Sequence, residues 1–170
     1  MTVSRVDPPY EADERTMLDA WLDYHRATLA MKCDGLDAAQ LRRRAVPPST
    51  LSLLGLVRHM AEVERNWFRR CFAGEDAPPL YYSDRNPDGD FDDVDAADVD
   101  DAFRAWNAEC DNARRVASDA MTLDDVGARP RHGGVLVSLR WIMVHMIEEY
   151  SRHNGHADLL RQCIDGAVGE

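Results

Sequence analysis

The chain has 170 residues, 45% of them hydrophobic, and a formal net charge of −11. That length supports one domain spanning 1–170 with a core of its own, while the acid excess excludes nucleic acid as a partner, because the short Arg42, Arg43, Arg44 run cannot supply the basic surface that phosphate needs. No apolar run reaches membrane-spanning length, and the opening MTVSRVDPPYEADERT lacks a signal peptide's apolar centre, so the expectation is a cytoplasmic protein with no membrane partner.

Residues 1–10, ending at Pro8 and Pro9, read as a flexible lead-in. From 11 to 32 the pattern turns helical, with Met17, Leu18, Trp21, Leu22, His25 and Leu29 recurring at steps of three and four. His25 lies on that stripe and is read as a core or margin histidine bonded to a neighbour, not as a ligand. A connection follows over 33–48, with a short helical stretch at 37–44 stopped by Pro47 and Pro48. Ser49, Thr50 or Ser52 then caps a helix of about twenty residues that Gly74 ends. Its broad apolar face carries Leu53, Leu56, Val57, Met60, Val63, Trp67, Phe68 and Cys71, and His59 stands on the flank of that face.

Residues 74–97 are rich in Asp, Pro and Gly and read as a long acidic loop. Within it Asp84, Asn86, Asp88, Gly89, Asp90, Asp92 and Asp95 fall on the positions of a calcium-binding loop, with Phe91 at the apolar place. Pro87 inside the turn, Asp95 where a longer Glu is usual and the lack of an entering helix favour a solvated acidic loop instead. A third helix is expected over 98–121, with Val99, Phe103, Trp106, Cys110 and Val116 as its apolar positions. The stretch 122–137, with Pro130, Gly133 and Gly134, is a loop or small hairpin carrying Arg129, Arg131 and His132. Cys33, Cys71, Cys110 and Cys163 stand singly without a CxxC pair, so reduced thiols are expected.

The last helix, 138–164, is the most informative. Leu139, Ile142, Met143, Met146, Tyr150, Ala157, Leu160 and Ile164 share one side of it, and Glu149 and His153 fall within the same stripe, one turn apart. A lone carboxylate in a core face costs several kcal/mol or loses its charge. Either a metal ion or a plain Glu-to-His hydrogen bond answers that cost. Four long amphipathic segments with long crossover loops predict an all-α four-helix bundle, and bundles build metal sites from inward side chains of facing helices. His59 with Glu149 and His153 would make such a set. Two imidazoles and a carboxylate suit a divalent first-row ion, zinc before nickel or iron, and leave a coordination position open.

The segments GLVRHMAEVERNWF around His59 and HMIEEYSRHNGHADLLR around His153 resemble the DinB-like superfamily, which includes the YfiT-like proteins and mycothiol-dependent maleylpyruvate isomerase. The resemblance spans about residues 11–165 and implies a bundle in which His59, Glu149 and His153 are the metal ligands. Many members carry two ligand histidines in the last helix; Glu149 replaces one here, as in the isomerase branch. The isomerase's extra C-terminal domain has no counterpart in the residues after the last helix, so isomerisation itself is not the expected activity.

Three functions follow as expectations. The first is a metal-dependent S-transferase using a low-molecular-weight thiol such as mycothiol, presented as thiolate to an electrophilic small molecule, with Arg58, Arg129 or Arg131 as partners for anionic groups. The second is a metal-dependent hydrolase acting through bound water, for which Glu62 and Glu64 lie too far round their helix from His59 to serve as base. The third is a non-catalytic structural bundle working as a homodimer, an arrangement that exposed apolar helix edges would allow.

Overall fold

The computed structural model describes residues 4–130 and 133–168. Asp13 opens α1, Glu14–Cys33, its carboxylate accepting from the Thr16 N–H, and Asp37 opens the short α2, Ala38–Arg42, through a reciprocal capping box with Gln40. Ser52 accepts from the Gly55 N–H to start α3, Leu53–Glu64. A four-residue α4, Gly89–Asp92, sits inside the acidic stretch. Asp98 caps α5, Val99–Asp119, and Ser138 caps α6, Leu139–Asp165, which Gly166 ends in the left-handed conformation at φ 80°. No strand occurs among the described residues, and no helix among them is long and apolar enough to cross a membrane.

The chain is therefore all-helical. α1 packs chiefly along α6 and α3 chiefly along α5, while α3 also touches α6. The stripes read from the sequence meet in the middle: Leu22 and Leu29 of α1, Leu56, Val57 and Met60 of α3, Trp106 and Val116 of α5, and Ile142, Met143, Met146 and Leu160 of α6 are all buried. Each such aliphatic side chain contributes about 1.5–3 kcal/mol by leaving water.

Two places depart from the helical pattern that the sequence suggests. The helix that begins at Leu53 does not stay α-helical to its end: from Arg65 to Phe72 it winds as a π-helix. That wider turn keeps Trp67 and Phe68 in the core while Arg65 and Arg69 both reach the buried Glu109, at 2.5 and 3.0 Å. An argument from a 3.6-residue period does not reveal this pairing. The end of the π-helix is held by the connection to α6, where the N–H groups of Ala128 and Arg129 donate to the carbonyls of Phe72 and Cys71. A Cβ at Gly127 would come within 2.7 Å of the Cys71 oxygen, so only glycine permits that approach. The same connection folds back on itself, with Gly127 N–H bonded to Val137 C=O and Leu139 N–H to Asp125 C=O.

The second departure is the acidic stretch. Val94 is fully buried and Asp90 is 6% exposed, so this loop is anchored to the core on one side. Its carboxylates turn to separate partners: Asp95 to Arg44, Asp93 to Asn86, Asp90 to His59. No three of them share one point among the described residues, which is not the arrangement a calcium loop requires.

Candidate metal centre

Two helices bring the candidate ligands together. α3 supplies His59 near its middle, and α6 supplies Glu149 and His153 from adjacent turns of its core stripe. One donor atom from each of the three lies within 4.8 Å of the other two. The His59 and His153 rings approach edge to face with centroids 4.7 Å apart, and His153 Nε2 stands 3.4 Å from Glu149 Oε2. The three side chains that the sequence analysis groups are thus brought to one place. Two imidazoles and one carboxylate at this spacing fit a divalent first-row ion.

Each of the three side chains has further partners. His59 Nδ1 lies 2.7 Å from Asp90 Oδ2, and the Phe91 ring stacks on the imidazole at 4.5 Å with only 26° between planes. His153 Nδ1 is 3.4 Å from the Nδ1 of His156, whose own pKa burial pushes below the ordinary imidazole range. Glu149 stands between two imidazoles, with His145 Nε2 3.4 Å from its Oε1. The hydrogen bond to His153 is the largest influence on Glu149, and with the nearby histidines it holds the carboxyl below its usual pKa against the opposing effect of burial. The His145 ring is wedged between Trp141, stacked at 4.9 Å, and Trp67, edge-on at 4.8 Å. His145, Glu148 and Glu149 also bring donor atoms within 4.8 Å of one another, although Glu148 is exposed and paired with Arg152.

His59 lines a cleft of about 340 Å³ together with Glu62, Asn66, Trp67, Tyr82 and Asp90. Glu62 accepts from the Leu80 and Tyr81 N–H groups, and burial, the dominant influence, raises its pKa above the ordinary carboxyl value. It therefore holds the chain after the π-helix while facing the cleft. Glu64 turns the other way, into the core against Arg26.

The arginines considered as anion partners are disposed differently from the ligands. Arg58 is buried and donates to the carbonyls of Gly89 and Asp93, its guanidinium lying 4.3 Å over the Tyr81 ring. Arg129 is exposed and donates to Gly74 C=O. Arg131 and His132 lie outside the described residues. Among the described residues, no Arg or Lys lines the cleft beside His59.

Asp90 is the site residue that sequence reasoning passed over. In a run of acids it carries no mark of its own, and the favoured reading of that run, a solvated acidic loop, leaves it facing water. The trace that could have singled it out is the apolar pair Phe91 and Val94, three apart inside the acidic run, which indicates a helical turn with one face on the core.

A family model for the mycothiol-S-transferases matches residues 17–166, a span that includes His59, Asp90, Glu149 and His153. No curated protein matches the chain.

Proposed function

Because the chain belongs to the mycothiol-S-transferase family, we propose that it is a DinB-like four-helix bundle that joins a low-molecular-weight thiol of the mycothiol type to an electrophilic small molecule. His59, Glu149 and His153 would hold a divalent ion, zinc in the first instance. The observation that carries this reading is the meeting of three donors from two helices within 4.8 Å, one of them on the wall of an open cleft. What such an ion supplies is Lewis acidity that lowers a thiol's pKa toward neutrality and so presents sulfur as a nucleophile.

The protein's own contribution is placement. His59 opens onto the cleft, so the thiol's sulfur would enter beside it, and the remainder of the thiol or the electrophile would occupy the space between Trp67, Tyr82 and Phe91. The aromatic walls offer apolar faces, while Glu62, Asn66 and Tyr82 offer polar atoms to hydroxyl or amide groups. With carboxylates and no Arg or Lys along its wall among the described residues, the cleft favours uncharged, hydrogen-bond-donating groups over anions. In the overall reaction a C–S bond forms, the thiol's proton is released, and any displaced group leaves with its electron pair.

The test is elemental analysis of protein purified without chelator, joined to conjugation of mycothiol with monochlorobimane. Stoichiometric metal and thiol-dependent conjugation are expected in the parent, and both should vanish in His59→Ala and His153→Ala. A parent that carries stoichiometric metal yet conjugates no thiol above background would defeat the transferase reading.

A further inference from the structure

Taking the ligand set of His59, Glu149 and His153 as its premise, we propose that Asp90 is a positioning residue that fixes His59 in the Nδ1–H tautomer and so directs its Nε2 lone pair at the metal. The acidic turn around α4 then exists to hold that carboxylate in place.

The first reason is burial. Asp92, Asp93 and Asp95 are exposed, as befits a solvated acidic loop, but Asp90 is 6% exposed. A carboxylate withdrawn from water is tolerated only when its oxygens are bonded, and both are: Oδ1 accepts from the Phe91 N–H at 3.0 Å and Oδ2 faces His59 Nδ1 at 2.7 Å. A carboxylate only accepts hydrogen bonds, so Nδ1 carries a proton, and in the neutral imidazole Nε2 is the nitrogen left with the lone pair.

The second reason is that the ring has little room to turn. Phe91 covers one face of the imidazole and the His153 ring approaches it edge to face. Phe91 itself lies close to α3, its Cα 3.4 Å from where a Cβ at Gly55 would stand.

The third reason is the clamp. Arg58, the residue before His59, donates to Gly89 C=O at 2.8 Å and Asp93 C=O at 2.7 Å, one on each side of Asp90. A single turn of α3 thus carries both the ligand and the cation that seats the ligand's partner. This gives Arg58 a use that needs no anionic substrate. A carboxylate behind a ligating imidazole raises its donor strength, and removing such a partner typically costs about 10- to 100-fold in metal affinity.

The experiment measures zinc affinity by competition with a chromophoric chelator, and the visible spectrum of the cobalt-substituted protein, for parent and Asp90→Asn. Asp90→Asn should bind zinc about 10- to 100-fold more weakly than the parent and shift the cobalt spectrum. Parent-like zinc affinity in Asp90→Asn overturns the inference. Nitrogen NMR of the metal-free parent, with His59 neutral, gives a second readout that needs no variant. Nδ1–H as the major tautomer is expected, and Nε2–H overturns the proposal. A parent that binds neither zinc nor cobalt removes the metal reading instead, and the tautomer still decides whether Asp90 holds His59.

Discussion

Glu64 shows how much one buried side chain can decide. Its carboxylate has no exposure, accepts from Arg26 Nε and Nη2 at 2.8 and 2.9 Å and from the Tyr150 hydroxyl at 2.8 Å, and Trp106 Nε1 donates to that same hydroxyl. The cluster joins α1, α3, α5 and α6 at their centre. Removing one partner of a buried ion pair strands the other charge, so Glu64→Ala should destabilise the protein by about 3–5 kcal/mol. Tyr150→Phe leaves the ion pair with Arg26 intact but removes the hydroxyl's hydrogen bond to Glu64 and the acceptor of the Trp106 N–H, so its cost should be about 1–3 kcal/mol. Urea unfolding of the two variants checks the order; equal losses would show that Arg26 does not depend on Glu64. The sequence hid this cluster because Glu64 follows Glu62 and Val63 on a helix rich in charge, and nothing in its spacing tells a core carboxylate from a solvated one. Tyr150, by contrast, lies squarely in the apolar stripe of its helix and was legible there.

At the scale of elements, the stripes of the long helices were readable because burial repeats every three or four residues. α1, α5 and α6 begin and end within about three residues of the positions their patterns and caps predict. The short α4 left only one trace, the three-residue step from Phe91 to Val94, since four residues give no repeating period and its placement depends on long-range contacts with α3. Those contacts yield a prediction about how the two halves of the site differ. A Cβ at Gly89 would meet the Tyr81 carbonyl oxygen at 2.4 Å, so Gly89→Ala must displace the turn that carries Asp90 and Phe91. We expect it to cost about 1–3 kcal/mol, as overpacking does, and to weaken zinc binding as well. Ser138→Ala removes the side-chain cap of α6, at about 1 kcal/mol, but Glu149 and His153 lie turns away within an unbroken helix, so zinc affinity should hold. Unfolding and chelator competition on the same two variants separate stability from metal affinity. A loss of affinity in Ser138→Ala would mean that the ligands of α6 depend on its first turn.

For the molecule as a whole, the question is whether the metal builds the fold or uses one already built. The core runs through hydrocarbon along all four long helices, and the three candidate donors occupy one region where α3 faces α6. Small domains that lack such a core unfold when their metal is removed, since there the binding energy is the folding energy. Here chelation should leave the far-ultraviolet helical signal unchanged at room temperature and lower only the midpoint of thermal unfolding. The size of that shift follows from linkage: an ion present at a hundred times its Kd adds about 2.7 kcal/mol to the folded state. For a domain of this length that corresponds to roughly 5–11 °C. The midpoint should climb with the logarithm of zinc concentration in the parent and stay flat in His59→Ala, whose metal-free midpoint should match that of the chelated parent to within a few degrees. Loss of helix on chelation would instead make the ion a structural element, and the open cleft beside His59 would then need another explanation.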